Sequence, residues 1–220
     1  MKRSSFPLGL ILAAVLVACR SGTAPPQPSG KPTSNLQTAG AALPFDFYLL
    51  NLSWSPEFCY SHPGAAECAQ HFTFILHGLW PQNSDGTYPR NCSNAPGLPD
   101  PSRYGDIFPD PGLLQHEWKA HGTCSGLSPD EYFSAARRAM HSVTIPAQLA
   151  HLQSQVSMPP DQIVNLFTAA NPQAPSSAWA VSCGNNYLTA VELCLDHSLR
   201  PIACSGVRSC RANTVRIPPP

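Results

Sequence analysis

Apolar residues fall into short runs with two different periods, separated by proline-rich polar stretches. Phe45 to Trp54 (FDFYLLNLSW) alternates imperfectly and is rich in aromatics, and His71 to Leu76 (HFTFIL) is a second short apolar run. Both predict core strands, which puts His77 just past a strand end. Six prolines between Tyr88 and Gly112 (Pro89, Pro96, Pro99, Pro101, Pro109, Pro111) forbid continuous helix or a central strand and predict a long irregular loop over one face. Helical signals follow at Leu113 to His121, at Asp130 to His141 after Ser128-Pro129-Asp130-Glu131, and at Asp161 to Ala170 after Pro159-Pro160. Trp179 to Ser182, Leu188 to Leu195 and Ile202 to Cys204 read as returning strands, and Pro218-Pro219-Pro220 as a frayed end. Strands and helices in segregated runs, without regular βαβ alternation, predict an α+β fold: a central, mostly antiparallel sheet with helices packed on it.

The first 44 of the 220 residues do not fit this pattern. Lys2 and Arg3 precede an apolar run from Pro7 to Ala18, too short for the roughly 20 residues of a membrane-spanning helix, so residues 1–18 read as an export signal. Its end, Leu16-Val17-Ala18-Cys19, resembles the bacterial lipobox, in which Cys19 is lipidated and becomes the mature N-terminus; cleavage and secretion is the alternative. Residues 19–44, built largely from Ser, Gly, Thr, Pro, Ala and Gln, read as a solvated tether. Residues 45–220 are left as one domain with its own core.

Setting Cys19 aside, the other eight of the nine cysteines all lie between Cys59 and Cys210. An even number in an exported domain predicts disulfides. A zinc site is disfavoured because no C-x-x-C pair exists, the closest two cysteines, Cys204 and Cys210, being six apart. Removing the signal leaves 11 basic against 13 acidic residues, a net charge of about −2, which excludes a basic nucleic-acid-coating protein. All eight histidines lie beyond the signal, so the charge approaches about +6 once they are protonated. Affinity for polyanions is therefore expected to grow as pH falls.

Histidines also concentrate where chemistry is plausible: His77 beside Gly78 and Trp80, and His116 and His121 flanking Glu117, Trp118 and Lys119. A single histidine is more often structural than catalytic, but here glycine permits close backbone approach, tryptophan offers a stacking face and glutamate can orient a neighbour. His116-Glu117 resembles the start of the zinc motif H-E-x-x-H, whose ligands are four apart. On a continuous helix, five steps of about 100° set His116 and His121 roughly 140° apart, whereas Glu117 and His121 share a face. No metal or other cofactor is expected.

Phe74-Ile75-Leu76-His77-Gly78-Leu79-Trp80-Pro81 and His116-Glu117-Trp118-Lys119-Ala120-His121-Gly122-Thr123-Cys124 closely resemble the two active-site segments of the ribonuclease T2 family. The resemblance extends to Tyr48-Leu49-Leu50, Ser53-Trp54-Ser55-Pro56, Cys59 and the strand Leu188 to Asp196, covering nearly everything from Phe45 to about Arg216. It implies cleavage of single-stranded RNA by attack of the ribose 2′-hydroxyl on its own phosphate, giving a 2′,3′-cyclic phosphate; DNA lacks that nucleophile. Such a reaction needs a base, an acid and stabilisation of a crowded phosphorane.

By the same resemblance His121 is the base, His77 the acid, His116 a phosphate contact and Glu117 a stabiliser or orienter, with acid and base able to exchange. Trp80, Gln82 and Tyr88 stand where relatives contact bases. Gln82 replaces an acidic residue of some relatives and Ser53 a glutamine of many, so broad base specificity is expected. The implied disulfides are Cys59–Cys68, Cys92–Cys124, Cys183–Cys210 and Cys194–Cys204. Many members carry lysine immediately before the second histidine, where this chain has Ala120 and moves the lysine to Lys119, about 100° away on a helix. A slower enzyme, accelerated by Ala120→Lys, is the expectation. The expected enzyme is an exported monomer, periplasmic or anchored to the outer membrane or cell surface through a lipid on Cys19, or else secreted; the competing possibility is a non-catalytic surface protein that binds RNA or a partner on the same fold.

Overall fold

A computed structural model describes residues 44–220. The export signal, the lipobox cysteine Cys19 and all but the last residue of the tether lie outside the described residues.

Strand β1 (Phe47–Trp54) is the spine of the sheet, paired antiparallel with β2 (Phe74–Gln82) on one side and with β5 (Tyr187–Leu195) on the other. Its alternation decides the architecture. Tyr48, Leu50, Leu52 and Trp54 enter the main core, while Phe47 and Leu49 face the opposite side with Asn51 and Ser53 beyond them. β4 (Trp179–Gly184) pairs antiparallel with β5, and β6 (Val215–Ile217) bridges to β3 (Val156–Met158). Every pairing is antiparallel except the brief parallel contact of β5 with β6 at Tyr187 and Arg216.

Among the described residues, side chains cap the starts of two α-helices and proline stands in the first turn of four. α1 (Ser55–Ser61) follows β1 directly, with Pro56 in its first turn. At α2 (Pro111–Ala120) the Asp110 carboxylate accepts from the Gly112 amide at 2.7 Å, with Pro111 in the first turn. At α3 (Pro129–His141) Ser128 and Glu131 form a reciprocal capping box, worth about 1 kcal/mol for its N-cap. A short α4 (Ala147–Ala150) and α5 (Pro160–Ala170) complete the set. Leu114 and Trp118 of α2, Tyr132 and Phe133 of α3, and Ile163 and Phe167 of α5 pack on the core face of the sheet.

Four sequence expectations are corrected. β2 does not end before His77 but runs through it, because Leu79, Trp80 and Pro81 continue to pair with Leu50, Leu49 and Tyr48. Leu52 pairs with Leu76 and Asn51 with Gly78, so His77 is left over as a bulge between them. Ile202–Cys204 is not a strand; only Pro201 bridges to Leu195. The terminal prolines are tied, since the Pro218 carbonyl accepts from Trp54 Nε1 at 3.1 Å. The proline-rich segment does more than cover a face, for Tyr104, Ile107 and Phe108 are core residues.

Disulfides join Cys59–Cys68, Cys92–Cys124, Cys183–Cys210 and Cys194–Cys204. The second ties the proline-rich loop to the segment after α2 and spans 32 positions, a closure worth about 3 to 4 kcal/mol in chain entropy. The Asn91 amide donates to the Ala120 carbonyl at 2.9 Å and Trp118 Nε1 donates to the Ala95 carbonyl at 3.0 Å, so the loop is bound to α2 along its length.

Candidate active site

The sheet face opposite the main core opens into a cleft of about 550 Å³. Leu49 and Trp80 belong to the small apolar cluster on that face. The cleft gathers His77, Trp80 and Gln82 from β2, His116, Glu117 and His121 from α2 and its end, and Tyr88 and Arg90 from the loop after β2. All seven residues singled out for catalysis or base contact therefore line one space.

His121 reaches the cleft for a reason the helical wheel missed. α2 ends at Ala120, and His121 is its C-cap with φ −124° and ψ −46°, so the 100° step no longer applies and His116, Glu117 and His121 converge. The angular argument against shared chelation is thus removed. Even so, no group of three or more His, Cys, Asp or Glu side chains in metal-binding geometry occurs among the described residues.

Trp80 organises the site. Its ring lies edge-on to His77 at 5.2 Å between centroids and stacks on His121 at 5.1 Å, while its Nε1 donates to Glu117 Oε2 at 2.7 Å. Gly78 is required beneath this bond, since a Cβ there would lie 2.0 Å from Glu117 Oε2 and 2.3 Å from Trp80 Nε1. His77 Nδ1 is 3.0 Å from Ser53 Oγ, and its Nε2 stands 3.7 Å from Glu117 Oε1. Glu117 Oε1 and His121 Nδ1 are buried with no partner among the described residues, which is costly unless they serve substrate. His116 is exposed at the mouth, Tyr88 is half exposed and Gln82 is buried in the floor.

Burial shifts every central group toward its neutral form. Burial pushes Glu117 up to about 8, against smaller opposing effects of the Trp80 hydrogen bond and the charge of Arg90. Burial brings His121 down to about 4, helped by the charges of Arg90, His116 and His77. His77 is lowered too, by burial and then by His116. Glu117 ionises only where His77 is already neutral, so their 3.7 Å approach is not an ion pair in the free protein. Glu117 instead presents a neutral carboxyl able to donate, the form that can approach a phosphate without repulsion.

This has a stability consequence. Glu117 is raised in the folded chain from an ordinary 4.5, so folding loses stability as pH rises from about 4.5 to about 8. Glu117→Gln keeps an acceptor for Trp80 and a donor toward the cleft. It is expected to stabilise the fold by on the order of 3 kcal/mol at pH 7 and to have no such effect near pH 4.5. Thermal melts at the two pH values check this, and equal melting shifts at both would count against it.

Several lining residues were not signalled by the motifs. Glu192 sits in β5 opposite Asn51 and accepts from Asn51 Nδ2 at 2.9 Å and Ser182 Oγ at 3.1 Å, with burial raising its carboxyl. Its only sequence signal is being the sole charged residue of an apolar strand. Arg90 and Arg208 also line the cleft. Lys119 does not: it lies in a separate depression with Ser93, Asn94 and Trp118.

The model of the "Ribonuclease T2 family" matches residues 45–204. A ribonuclease of Aeromonas hydrophila is 41% identical over 108 residues, 47% of this chain and 49% of that protein, so the match spans about half the length of this bacterial relative. Ribonuclease DdI of Dictyostelium discoideum is 29% identical over 79% of this chain and 85% of its own length. The fold is that of RNase NT, solved in complex with 5′-AMP, with TM-score 0.59 at 22% identity over 80% of this chain and 98% of that one. With the family's pattern matched across most of the chain and its fold reproduced, the chain belongs to the ribonuclease T2 family.

Proposed function

We propose that the chain is an exported endoribonuclease that cleaves single-stranded RNA without a metal ion, by transesterification through a 2′,3′-cyclic phosphate. The observation that carries this is the pair of imidazoles, His77 and His121, set against one indole in a single cleft with a neutral carboxyl beside them. His121 takes the 2′-hydroxyl proton as the 2′-oxygen bonds to phosphorus; the bond from phosphorus to the 5′-oxygen breaks, and His77 protonates that oxygen. The shifts support this direction. His121, the more depressed, is unprotonated over most of the acidic range, and His77, the less depressed, stays protonated to higher pH.

Glu117 donates to a non-bridging oxygen and His116 meets the phosphate at the cleft mouth. Trp80 is primarily a positioning residue, its ring against His121 and its N–H on Glu117. Tyr88, half exposed, offers a stacking face and Gln82 an amide, which together favour broad base preference. Four disulfides favour an oxidising compartment, in keeping with export as a lipoprotein on Cys19 or as a secreted monomer.

An activity gel containing RNA, run with and without chelator, tests the proposal, with ³¹P NMR of the products. Chelator-resistant clearing and a transient 2′,3′-cyclic phosphate are expected, with DNA left intact. Chelator-sensitive clearing would make it a metal enzyme, and no clearing a binding protein.

A further inference from the structure

The reaction proposed above places extra negative charge on the non-bridging phosphate oxygens in its transition state. The protonated His77 cannot hold that charge throughout, because its proton leaves with the 5′-oxygen. A permanent cation serves better, and the catalytic helix does not provide one. The position before His121 is Ala120, only 2% exposed, and Lys119 lies in a different depression.

Two guanidinium groups line the cleft, those of Arg90 and Arg208. They are not equivalent. The charge of Arg90 acts on both Glu117 and His121, whereas that of Arg208 figures at neither. Neither guanidinium is held elsewhere, since among the described residues the ion pairs engage Arg103, Arg137, Arg200 and His77.

Its root is fixed on the helix end. The next residue, Asn91, donates its amide to the Ala120 carbonyl at 2.9 Å and takes a left-handed φ of 53°. The residue after that, Cys92, is bonded to Cys124 and donates its amide to Thr123 Oγ1 at 3.2 Å. A long cationic side chain thus springs from a backbone that is clamped on both sides of His121 in sequence, at Ala120 and at Thr123 and Cys124.

We propose that Arg90 is a catalytic residue that stabilises the pentacoordinate phosphorane, delivered to the site by the loop in place of a cation on the helix. It exchanges no proton, and its fork of N–H donors suits two non-bridging oxygens at once. The assignment rests on the transesterification reading. It also revises the expectation attached to Ala120, since with Arg90 present the missing lysine need not slow the enzyme.

The test is steady-state cleavage of a uridine–adenosine dinucleotide by the full chain, by Arg90→Ala and by Arg90→Lys. Wild type is assayed first: failure to form the cyclic phosphate would overturn the transesterification reading itself, before any variant is compared. Given wild-type cleavage, Arg90→Ala is expected to lower kcat by about 10²-fold with KM changed less than about threefold. Arg90→Lys should recover part of the loss, and added guanidinium ion should speed Arg90→Ala but not wild type. The acid limb of kcat/KM should move to higher pH in Arg90→Ala, because a charge opposing protonation of His121 is gone. An unchanged kcat, or a raised KM with kcat intact, would overturn the assignment, as would guanidinium rescue equal in both proteins.

Discussion

Alanine at His77 or at His121 is expected to lower kcat for RNA cleavage by about 10² to 10⁴-fold, the usual worth of a positioned acid or base, while the protein stays folded. The site can lose either ring without collapse. His121 is 7% exposed with an Nδ1 that has no partner among the described residues, so its removal deletes an unsatisfied group while forfeiting the stack on Trp80. His77 stands on a bulge with its side chain 41% exposed, held by Ser53, the edge-on ring of Trp80 and the approach to Glu117. Neither ring fills the core. Circular dichroism melts establish folding and initial rates establish the loss. Because the two act in one step, the double variant should be little worse than the poorer single variant. Near-wild-type turnover in either folded single variant would remove that residue from the mechanism.

The second large effect is on pH. On the proposed mechanism, kcat/KM requires a free protein with His121 unprotonated and His77 protonated. With His121 near 4 and burial holding His77 below its ordinary 6.5, the rate should rise up to about pH 4, peak on the acid side of neutrality, and then fall about tenfold per unit above the ionisation of His77. A rate profile on a dinucleotide from pH 3 to 9 checks this. A maximum above pH 7 would contradict the assignment of acid and base, and His77→Ala should lose the alkaline limb.

The parts of this molecule legible in the sequence are those set by local chemistry. Ser128-Pro129-Asp130-Glu131 announces α3 because the cap, the proline and the reciprocal glutamate all act within one turn. The odd and even positions of β1 sort themselves because one face meets helices and the other a cleft. What stayed hidden depends on partners distant in the chain. Nothing in HFTFIL shows that the strand continues through a histidine, because the bulge exists only against Asn51 and Leu52. Val215–Ile217 is too short to register until β3 and β5 flank it. Tyr104, Ile107 and Phe108 read as loop because prolines surround them, yet the core side of α3 draws them in. Within the site, the two motifs brought out the histidines and Glu117 but not Arg90, which enters through the Cys92–Cys124 bond, nor Glu192, whose partners Asn51 and Ser182 lie on neighbouring strands.

The bulge also makes β2 unequally sensitive to two kinds of inherited change. Leu76 and Leu79, three apart, both face the core only because His77 is surplus to the ladder. Many single substitutions in the strand leave that count untouched. Loss of one residue beside His77 does not: the ladder can close by pairing His77 itself, keeping the sheet and the disulfides of the described residues while moving the imidazole off its station. A single in-frame codon deletion is thus a short route to a folded chain that keeps the cleft but not the placement of its imidazole.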